Sequence, residues 1–355
     1  MKLDDLRKRI DEIDTEVVRL LNERAKIAIE VGSRKKSANA QFYAPERENA
    51  IFRRLQKLNE GPLTDAGVQA IYREVISATR SLEKMLTIAY LGPDATFTHL
   101  ASRHMFGSSV KYTPVHTIPD VFIEVERGRA DYGVVPIENS TGGVVQQTLD
   151  AFMESSLQVS NEVMLEISHC LLSNSPIEKI TDIYSKEEAL YQCRHWIENN
   201  LPEARLHNTH STARAAEIAA CTEGAAAIGS EFAGEVDGLK LLVPKIEDYA
   251  DNYTRFLVIS NESPGPSGTD KTSIMFSVKD RVAALYDTLR PFAEKGISLT
   301  KIESRPSRRK PWEYVFFVDV LGHQQDKQVA EALAEVESGC VFMKVIGSYP
   351  AARIG

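Results

Sequence analysis

The apolar residues at the start of the chain recur at spacings of three and four. Over residues 3–36 they are Leu3, Leu6, Ile10, Ile13, Val17, Leu20, Leu21, Ile27 and Val31. This spacing predicts one long amphipathic helix. Two shorter helices are predicted from Pro45 to about Asn59 and from about Thr64 to Lys84. The first helix is too long for the other two to cover, so we expect two copies of the chain to pair through it.

From Thr87 the pattern changes to short apolar strands that alternate with amphipathic helices. The clearest predicted strands are 88–93, 131–136, 168–172, 225–229 and 256–259, and the clearest helices are 98–106, 118–127, 146–154, 187–199 and 212–221. This alternation predicts an α/β fold. Polar loops follow several of these strands, and ligands bind at such strand ends in open α/β sheets.

After a Pro/Gly/Ser-rich linker at residues 261–270 the pattern changes again. The predicted elements are strand 271–278, helix 281–295, strands 297–304 and 314–321, helix 326–337 and strand 341–347. This βαββαβ order is the ferredoxin-like arrangement, which alone would suit a packing or dimerisation domain. We therefore predict three domains, at residues 1–85, 87–260 and 271–355.

Composition and charge narrow the classes of function. A hydrophobic content of 43% and a charged content of 26% are ordinary for a globular protein, and no apolar run has the length of a membrane span. No signal peptide is visible, and the four cysteines form no C-x-x-C pair, which fits a reducing cytoplasm and argues against a zinc site. The net charge of −8 disfavours a nucleic-acid binder, yet residues 1–85 carry 17 basic and 14 acidic side chains. We expect a small anion there, and neither a metal nor another cofactor.

Three basic residues of the first helix suggest where that anion binds. Arg24 and Lys35 are eleven residues apart, so they share a helix face at a separation of roughly 16 Å. Their long side chains can meet a small dianion between them. Arg7 lies roughly 25 Å from Arg24 along the same helix, so it reaches only the site of an antiparallel partner. The ordinary alternative is a solvated basic face.

The helical segment resembles the all-helical chorismate mutase family. The matching stretches are Leu6-Arg7-x-x-Ile10-Asp11, Leu20-Leu21-Asn22-Glu23-Arg24, Val31-Gly32-x-x-Lys35 and Pro45-Glu46-Arg47-Glu48. The resemblance implies that chorismate is bound by Arg7 of the partner subunit and by Arg24, Lys35, Arg47, Glu48, Thr79 and Glu83. Ala44 stands where Asp is common, and Glu83 where Gln can occur, so Glu83 has to be protonated to donate a hydrogen bond to the ether oxygen. The rearrangement needs only charge and orientation, with no nucleophile or metal.

The next segment resembles the prephenate dehydratase family over residues 87–260. The matching motifs are Gly92-Pro93-x-Ala95-Thr96-Phe97-Thr98, Val135-Pro136-Ile137-Glu138-Asn139-Ser140, His169-Cys170-Leu171-Leu172, Ser211-Thr212-Ala213 and Thr254-Arg255-Phe256. The resemblance implies a catalytic Thr254 and substrate contacts from Thr96, Asn139, Ser140, Ser211, Thr212, Arg255 and Phe256. Arg255 offers a planar fork that suits a carboxylate, beside the Thr254 hydroxyl. For each loop residue alone, a helix cap or turn is the alternative.

The last segment resembles the ACT regulatory domain. The matching stretches are Glu303-Ser304-Arg305-Pro306, Trp312-Glu313-Tyr314 and Gly347-Ser348-Tyr349-Pro350. The resemblance implies a phenylalanine site at Glu303, Ser304, Arg305 and Pro306 and at Ala284 and Leu285. The latter two belong to a Gly-Ala-Leu motif of the family that reads Ala283-Ala284-Leu285 here.

These resemblances together predict a bifunctional chorismate mutase–prephenate dehydratase. It converts chorismate to prephenate and prephenate to phenylpyruvate, with phenylalanine as feedback inhibitor. We expect a homodimer or higher homo-oligomer in the cytoplasm, with no cofactor, nucleic acid or membrane partner. Two alternatives remain open: a dehydratase whose helical segment serves only dimerisation, and a non-catalytic two-lobed sensor of an amino acid or other solute.

Overall fold

The computed structural model describes residues 2–37, 42–306 and 314–352, so Trp312 and Glu313 of the quoted motif lie outside these ranges. The chain forms two compact units. The first is Met1–Thr87 with Phe106–Lys111, and the second is Ile88–Met105 with Tyr112–Gly355. Within the described ranges, no helix is both long and apolar enough to cross a membrane.

The first unit is all-helical, and the three predicted helices are confirmed. They are α1 (Leu3–Ser37), α2 (Pro45–Leu58) and α3 (Asp65–Glu83). Thr64 caps α3, since its hydroxyl accepts a hydrogen bond from Gly67 N at 3.1 Å, whereas Ala44 at the start of α2 has no capping side chain. Gly32 lies where α1 meets α3. A Cβ there would be 2.8 Å from Glu83 Cβ, so glycine lets the two helices approach closely.

The apolar stripe of α1 is largely exposed in the single chain. Ile10 and Ile27 are 57% and 63% exposed, and most apolar residues of the stripe are similarly open. The first unit also includes residues 106–111, which lie inside the segment predicted as the α/β domain. There Phe106 packs on Tyr43, with ring centroids 4.9 Å apart. The small core of this unit therefore lies on the side of α3, and much of α1 is uncovered.

The second unit begins with a two-lobed α/β region, as predicted. The strands are β1 (Thr87–Leu91), β2 (Lys111–Val115), β3 (Tyr132–Asn139), β4 (Gly143–Val144), β5 (Gln158–Glu166), β6 (Cys170–Ser173), β7 (Asp182–Ser185), β8 (Arg205–Asn208), β9 (Ala225–Gly229), β10 (Lys240–Val243) and β11 (Tyr253–Ser260). The helices are α4 (Phe97–Phe106), α5 (Ile118–Glu126), α6 (Gln146–Glu154), α7 (Glu187–Gln192), α8 (Arg194–Asn200), α9 (Thr212–Ala220) and α10 (Glu231–Asp237). The first lobe has the sheet order β2-β1-β3-β11-β5, with β4 beside β3, and the second has β10-β6-β9-β7-β8.

Of the differences from the sequence prediction in this region, two have a clear physical reason. The long strand β5 was not predicted, because it carries Ser160, Asn161 and Glu162 at buried positions where an apolar run is expected. The helix predicted over residues 187–199 is divided into α7 and α8. Asp248 accepts hydrogen bonds from the backbone N–H groups of His195 and Trp196, at 2.9 and 3.1 Å, and this satisfies a new helix start.

The predicted βαββαβ domain follows, and its order is confirmed. Its elements are β12 (Asp270–Ser277), α11 (Ala284–Glu294), β13 (Leu299–Pro306), β14 (Tyr314–Leu321), α12 (Lys327–Gly339) and β15 (Phe342–Pro350), with the antiparallel sheet order β13-β14-β12-β15. One face of this sheet packs on α11 and α12. The other face packs on the first-lobe sheet, in a shared core that includes Leu257, Met275 and Phe317. At Gly347 a Cβ would lie 2.4 Å from the Val159 carbonyl oxygen, so glycine allows β15 to cross β5 closely.

Candidate functional site

The Thr254 hydroxyl lies at the start of β11, next to the end of β3. The two strands are antiparallel, with Thr254 opposite Asn139. Asn139 Nδ2 donates hydrogen bonds to Thr254 Oγ1 at 2.8 Å and to Asn252 Oδ1 at 2.7 Å. Its Oδ1 accepts from the backbone N–H groups of Thr141 and Gly142, which fixes the orientation of the amide. Among the described residues, Thr254 Oγ1 only accepts, so its proton is available to a ligand.

A second polar chain connects this point to the other lobe through Gln192. Gln192 Nε2 donates to Thr141 Oγ1 at 3.1 Å, and its Oε1 accepts from Asn252 Nδ2 at 3.3 Å. The same Oε1 lies 2.8 Å from His169 Nε2. Because a side-chain amide oxygen only accepts, His169 carries its proton on Nε2. Burial lowers the pKa of His169, which keeps the ring neutral.

His169 and Gln192 were not predicted as site residues. The sequence signal for His169 was its place in the His169-Cys170-Leu171-Leu172 motif. Its Nδ1 is a buried acceptor with no partner in the described parts of the chain. Gln192 ends a short helix in the second lobe and carries no motif, so sequence offered no signal for it. Both residues complete a continuous polar network across the two lobes.

In the helical unit, α1 and α3 bring together four of the predicted residues. Thr79 and Glu83 are four residues apart, so they lie on one face of α3. Arg24 Nη1 donates to Thr79 Oγ1, and Lys35 Nζ lies 3.2 Å from Glu83 Oε2. This places two cations, a hydroxyl and a carboxyl group in one cluster, as the spacing of Arg24 and Lys35 suggested.

Glu48 forms an ion pair with Arg80, a residue of α3 that was not predicted as a site residue. Arg80 Nη1 lies 2.5 Å from Glu48 Oε1, and Nη2 donates to the Phe106 carbonyl at 2.8 Å. Its guanidinium also lies 5.2 Å from the Tyr43 ring centroid. Burial raises the pKa of Glu48, although Arg80 opposes the shift. Arg80 is buried despite its charge, and only the tertiary contacts reveal this.

Arg7 and Arg47 do not join this cluster within one chain. Both are exposed, and Arg7 Nη1 has an ion-pair contact with Asp4 at 3.7 Å. The predicted role of Arg7 in the site of a partner subunit stays a prediction.

Comparison with known proteins covers all three segments. The chorismate mutase type II family model matches residues 6–84, the prephenate dehydratase model residues 88–264 and the ACT domain model residues 272–338. The bifunctional chorismate mutase/prephenate dehydratase of Aquifex aeolicus is 50% identical over 358 residues, covering 99% of this chain and 99% of that protein. The chain belongs to the bifunctional chorismate mutase/prephenate dehydratase family.

Solved structures match about three quarters of the chain. A prephenate dehydratase from Arthrobacter aurescens, solved in complex with L-Phe, has a TM-score of 0.69 and 32% identity, covering 75% of this chain and 90% of that one. A protein described as a novel type of quorum quenching acylase also has a TM-score of 0.69, at 28% identity, covering 75% of this chain and 98% of that one.

Several predicted residues of the dehydratase domain have local structural partners. Thr96 Oγ1 and Ser211 Oγ cap α4 and α9 by accepting from the backbone N–H groups of His99 and Arg214, at 3.3 and 3.0 Å. Ser140 Oγ accepts from Tyr253 N at 2.9 Å and so ties its loop to β11. Thr212 and Phe256 are buried. The cap alternative is thus observed for Thr96 and Ser211, and their contacts to substrate stay predictions.

The structure does not bring Arg255 and Thr254 together. Successive side chains of a strand point to opposite faces, so Arg255 points away from Thr254. It lies in the shared core with the ACT sheet, where its Nη1 is 2.6 Å from Asp319 Oδ2 and its Nε is 2.6 Å from Glu162 Oε2. The Arg255 guanidinium therefore binds carboxylates of the protein itself, whereas the sequence prediction assigned it to a carboxylate of the substrate.

The residues predicted to bind phenylalanine do not all lie on one face of the ACT sheet. Glu303 and Arg305 pair with residues of β14 that face the dehydratase lobe, and Arg305 Nε donates to Asp150 Oδ1 at 3.1 Å. Ser304 alternates to the other face, the one on which α11 and α12 pack, and Ser304 and Pro306 are both exposed. Ala284 and Leu285 begin α11 after Ala283, whose φ of 62° is left-handed. The described residues contain no group of three or more His, Cys, Asp or Glu side chains that could hold a metal.

Proposed function

We propose that this chain rearranges chorismate to prephenate in its helical domain and converts prephenate to phenylpyruvate in its α/β domain. The observation that carries the proposal is the hydrogen bond from Asn139 to Thr254. It orients a hydroxyl whose proton is available, at a site between two lobes. Family membership and the cationic cluster of the helical domain support the first activity.

For the mutase step, the chain has to hold a flexible dianion and stabilise charge on the breaking ether bond. Arg24 and Lys35 supply positive charge over one face of α3, and Thr79 and Glu83 lie between them as hydrogen-bonding groups. Glu48, in the first turn of α2, pairs with Arg80 of α3, and its neighbour Arg47 is a further proposed contact to the substrate. Arg7 of a second copy would complete the site.

For the dehydratase step, hydroxide is a poor leaving group unless it is protonated or strongly hydrogen-bonded as it departs. The Thr254 hydroxyl is the donor for this oxygen, and Asn139 holds it in place. Loss of carbon dioxide accompanies loss of water, and the electrons of the breaking carbon–carbon bond complete the aromatic ring. Ser140, Ser211, Thr212, Thr96 and Phe256 are the proposed neighbours of the substrate.

We also propose a homodimer paired through α1, working in the cytoplasm. The exposed apolar stripe of α1 supports the pairing, because an unpartnered stripe of this length favours burial against a second copy. The four cysteines are all free, which suits a reducing compartment.

We propose phenylalanine as the inhibitor that the ACT domain binds. Ala283 keeps a left-handed backbone at the place of the family's glycine, so the altered Ala283-Ala284-Leu285 motif retains the turn that a glycine would adopt. The solved relative in complex with L-Phe supports the same assignment.

The full-length chain should be incubated with chorismate and, separately, with prephenate while product formation is followed. Consumption of both, with phenylpyruvate as the final product, is the expected result. Prephenate turnover without chorismate turnover would favour a dehydratase with a helical dimerisation segment. No turnover of either, together with amino-acid binding, would favour the sensor.

A further inference from the structure

Two neighbouring strands carry the Thr254 site on one face and a charged cluster on the other. On β11, Thr254 is followed by Arg255, and on β3, Asn139 is preceded by Glu138. The strand register pairs Thr254 with Asn139 and Arg255 with Glu138. Each strand therefore joins a residue at the site directly to a residue of the cluster, through a single peptide unit.

The cluster is centred on Arg255, whose side chain is 4% exposed. Arg255 Nη1 is 2.9 Å from Glu138 Oε1 and 2.6 Å from Asp319 Oδ2, and Nη2 donates to the Tyr349 hydroxyl at 3.0 Å. Lys271 pairs with Glu162 at 2.8 Å, and Lys301 pairs with Glu138. Three carboxylates thus face three cations, and the buried charge is balanced.

Every strand of the ACT sheet contributes to this cluster. Lys271 lies on β12, Lys301 on β13, Asp319 on β14 and Tyr349 on β15. From the dehydratase lobe come one residue each of β3, β5 and β11. The cluster is therefore the polar centre of an otherwise apolar contact between the two sheets.

This environment leaves no room for substrate at Arg255. The cavity beside it has a volume of about 20 Å³, which is enough for one water molecule at most. Burial raises the pKa of Glu138, but the hydrogen bonds from Lys301 and Arg255 outweigh it and the pKa lies below its ordinary value. The carboxylate is therefore ionised and remains a partner of Arg255 at neutral pH.

We infer that Arg255 is a positioning residue: with Asp319 and Tyr349 of the ACT sheet, it fastens β3 and β11 so that Asn139 and Thr254 keep their hydrogen bond. The register between the strands shifts immediately after Arg255. At such a bulge the regular ladder is interrupted, and side-chain contacts help to fix the alignment. A displacement of 1 Å at a reacting group can cost about 10²-fold in rate.

This inference rests on the proposed dehydratase function and is tested on the full-length chain. Asp319→Asn and Tyr349→Phe change ACT residues on the face away from Thr254. Each should lower kcat for prephenate dehydration about tenfold or more, with KM changed less than about twofold. Arg255→Lys should behave in the same way. Mutase turnover of the same samples, from a separate unit, reports the amount of folded enzyme.

A matched control is Lys344→Met. Lys344 lies on β15, and its Nζ donates to the carbonyl of Phe152 at 3.3 Å and to that of Ser155, so it joins the ACT sheet to the end of α6 in the same lobe without contacting β3 or β11. This variant should lose some thermal stability and keep the wild-type dehydratase kcat.

Four results separate the possibilities. If Arg255→Lys raises KM at constant kcat while Asp319→Asn and Tyr349→Phe match the wild type, Arg255 binds substrate and the inference is overturned. If Lys344→Met lowers kcat as much as the cluster variants, a general loss of packing between the ACT sheet and the dehydratase lobe explains the effect, and the inference also fails. If Asp319→Asn does not fold, the milder Tyr349→Phe decides. A wild-type chain without dehydratase activity would instead refute the proposed function.

Discussion

The Thr254 hydroxyl is oriented to donate its proton to a ligand when another group donates to its oxygen. Asn139 Nδ2 does so at 2.8 Å, and the amide cannot flip because its own oxygen accepts two backbone N–H groups. We propose that this unactivated hydroxyl stabilises a departing hydroxide by hydrogen bonding, without full proton transfer.

Thr254→Val keeps the side-chain shape and removes the donor. We expect kcat for dehydration to fall by about 10²–10⁴-fold, with KM changed much less and mutase turnover unchanged. The measurement is steady-state formation of phenylpyruvate from prephenate. Thr148→Val is the matched control, because it removes a buried hydroxyl that donates to the Pro136 carbonyl elsewhere in the lobe. A wild-type rate in Thr254→Val would make Ser140 or Thr212 the next candidate donor.

Ala283 has a backbone conformation that disfavours any side chain. Its φ of 62° brings Cβ close to the following carbonyl oxygen, at a cost of about 1–2 kcal/mol. Ala283→Gly removes this strain, and the greater freedom of glycine in the unfolded chain offsets about 0.5–1 kcal/mol. The urea midpoint of the second unit should therefore rise slightly. Ala330→Gly, in the exposed interior of α12, should lower it, and a fall in both variants would contradict the strain argument.

The strands β3 and β11 show how an element serves two functions at once. Because successive side chains of a strand point to opposite faces, one face of each strand contributes to the polar network between the lobes and the other face packs on the ACT sheet. Helix α1 of the first unit also has two different sides, since one side packs on α3 and the other is exposed. Its length places Arg7 beyond the reach of its own Arg24.

A shared mutase site follows if two α1 helices pair antiparallel. Arg7→Ala and Arg24→Ala proteins should each be nearly inactive as mutases, because each lacks one residue in every site. After subunit exchange in equal mixture, about a quarter of wild-type activity should return, since half of the dimers then contain one intact site. Arg9→Ala, which removes an exposed ion pair with Glu12, should remain active. Exchange demonstrated without recovered activity would exclude the cross-subunit site.

On the scale of the whole molecule, the dehydratase lobe and the ACT sheet share one core, although sequence separates them by a linker. The apolar contact includes Leu257, Met275 and Phe317, and the charged cluster lies beside it. An effector that shifts the ACT sheet therefore acts on the strands that carry Thr254 and Asn139.

Phenylalanine should accordingly inhibit dehydration by the full-length chain. We expect saturable inhibition, and calorimetry should detect binding over the same concentration range. Alanine, which lacks the ring, is the control ligand. Absence of both heat and inhibition at millimolar phenylalanine would leave the ACT domain as a structural element only.

Elements with a long, regular pattern of apolar residues could be predicted from sequence, because interactions within each segment determine them. The three helices of the first unit and the βαββαβ order were predicted correctly, since periodicity, turn residues and caps lie within each segment. The motifs around Thr254 and Asn139 identified the family. The strands of an α/β sheet lie side by side, so the pairing of these two motifs across β3 and β11 agrees with the predicted fold class.

What only the tertiary structure decided depends on residues far apart in the chain. Strand β5 carries Glu162 where sequence expects an apolar residue, and that charge is tolerated because Arg255 and Lys271 pair with it. Sequence places Arg255 beside Thr254, and alternation alone sends the two side chains to opposite faces. Which of the two faces is covered by protein was decided by Asp319, 64 residues later, because burial of a charge requires a partner that only the folded chain supplies.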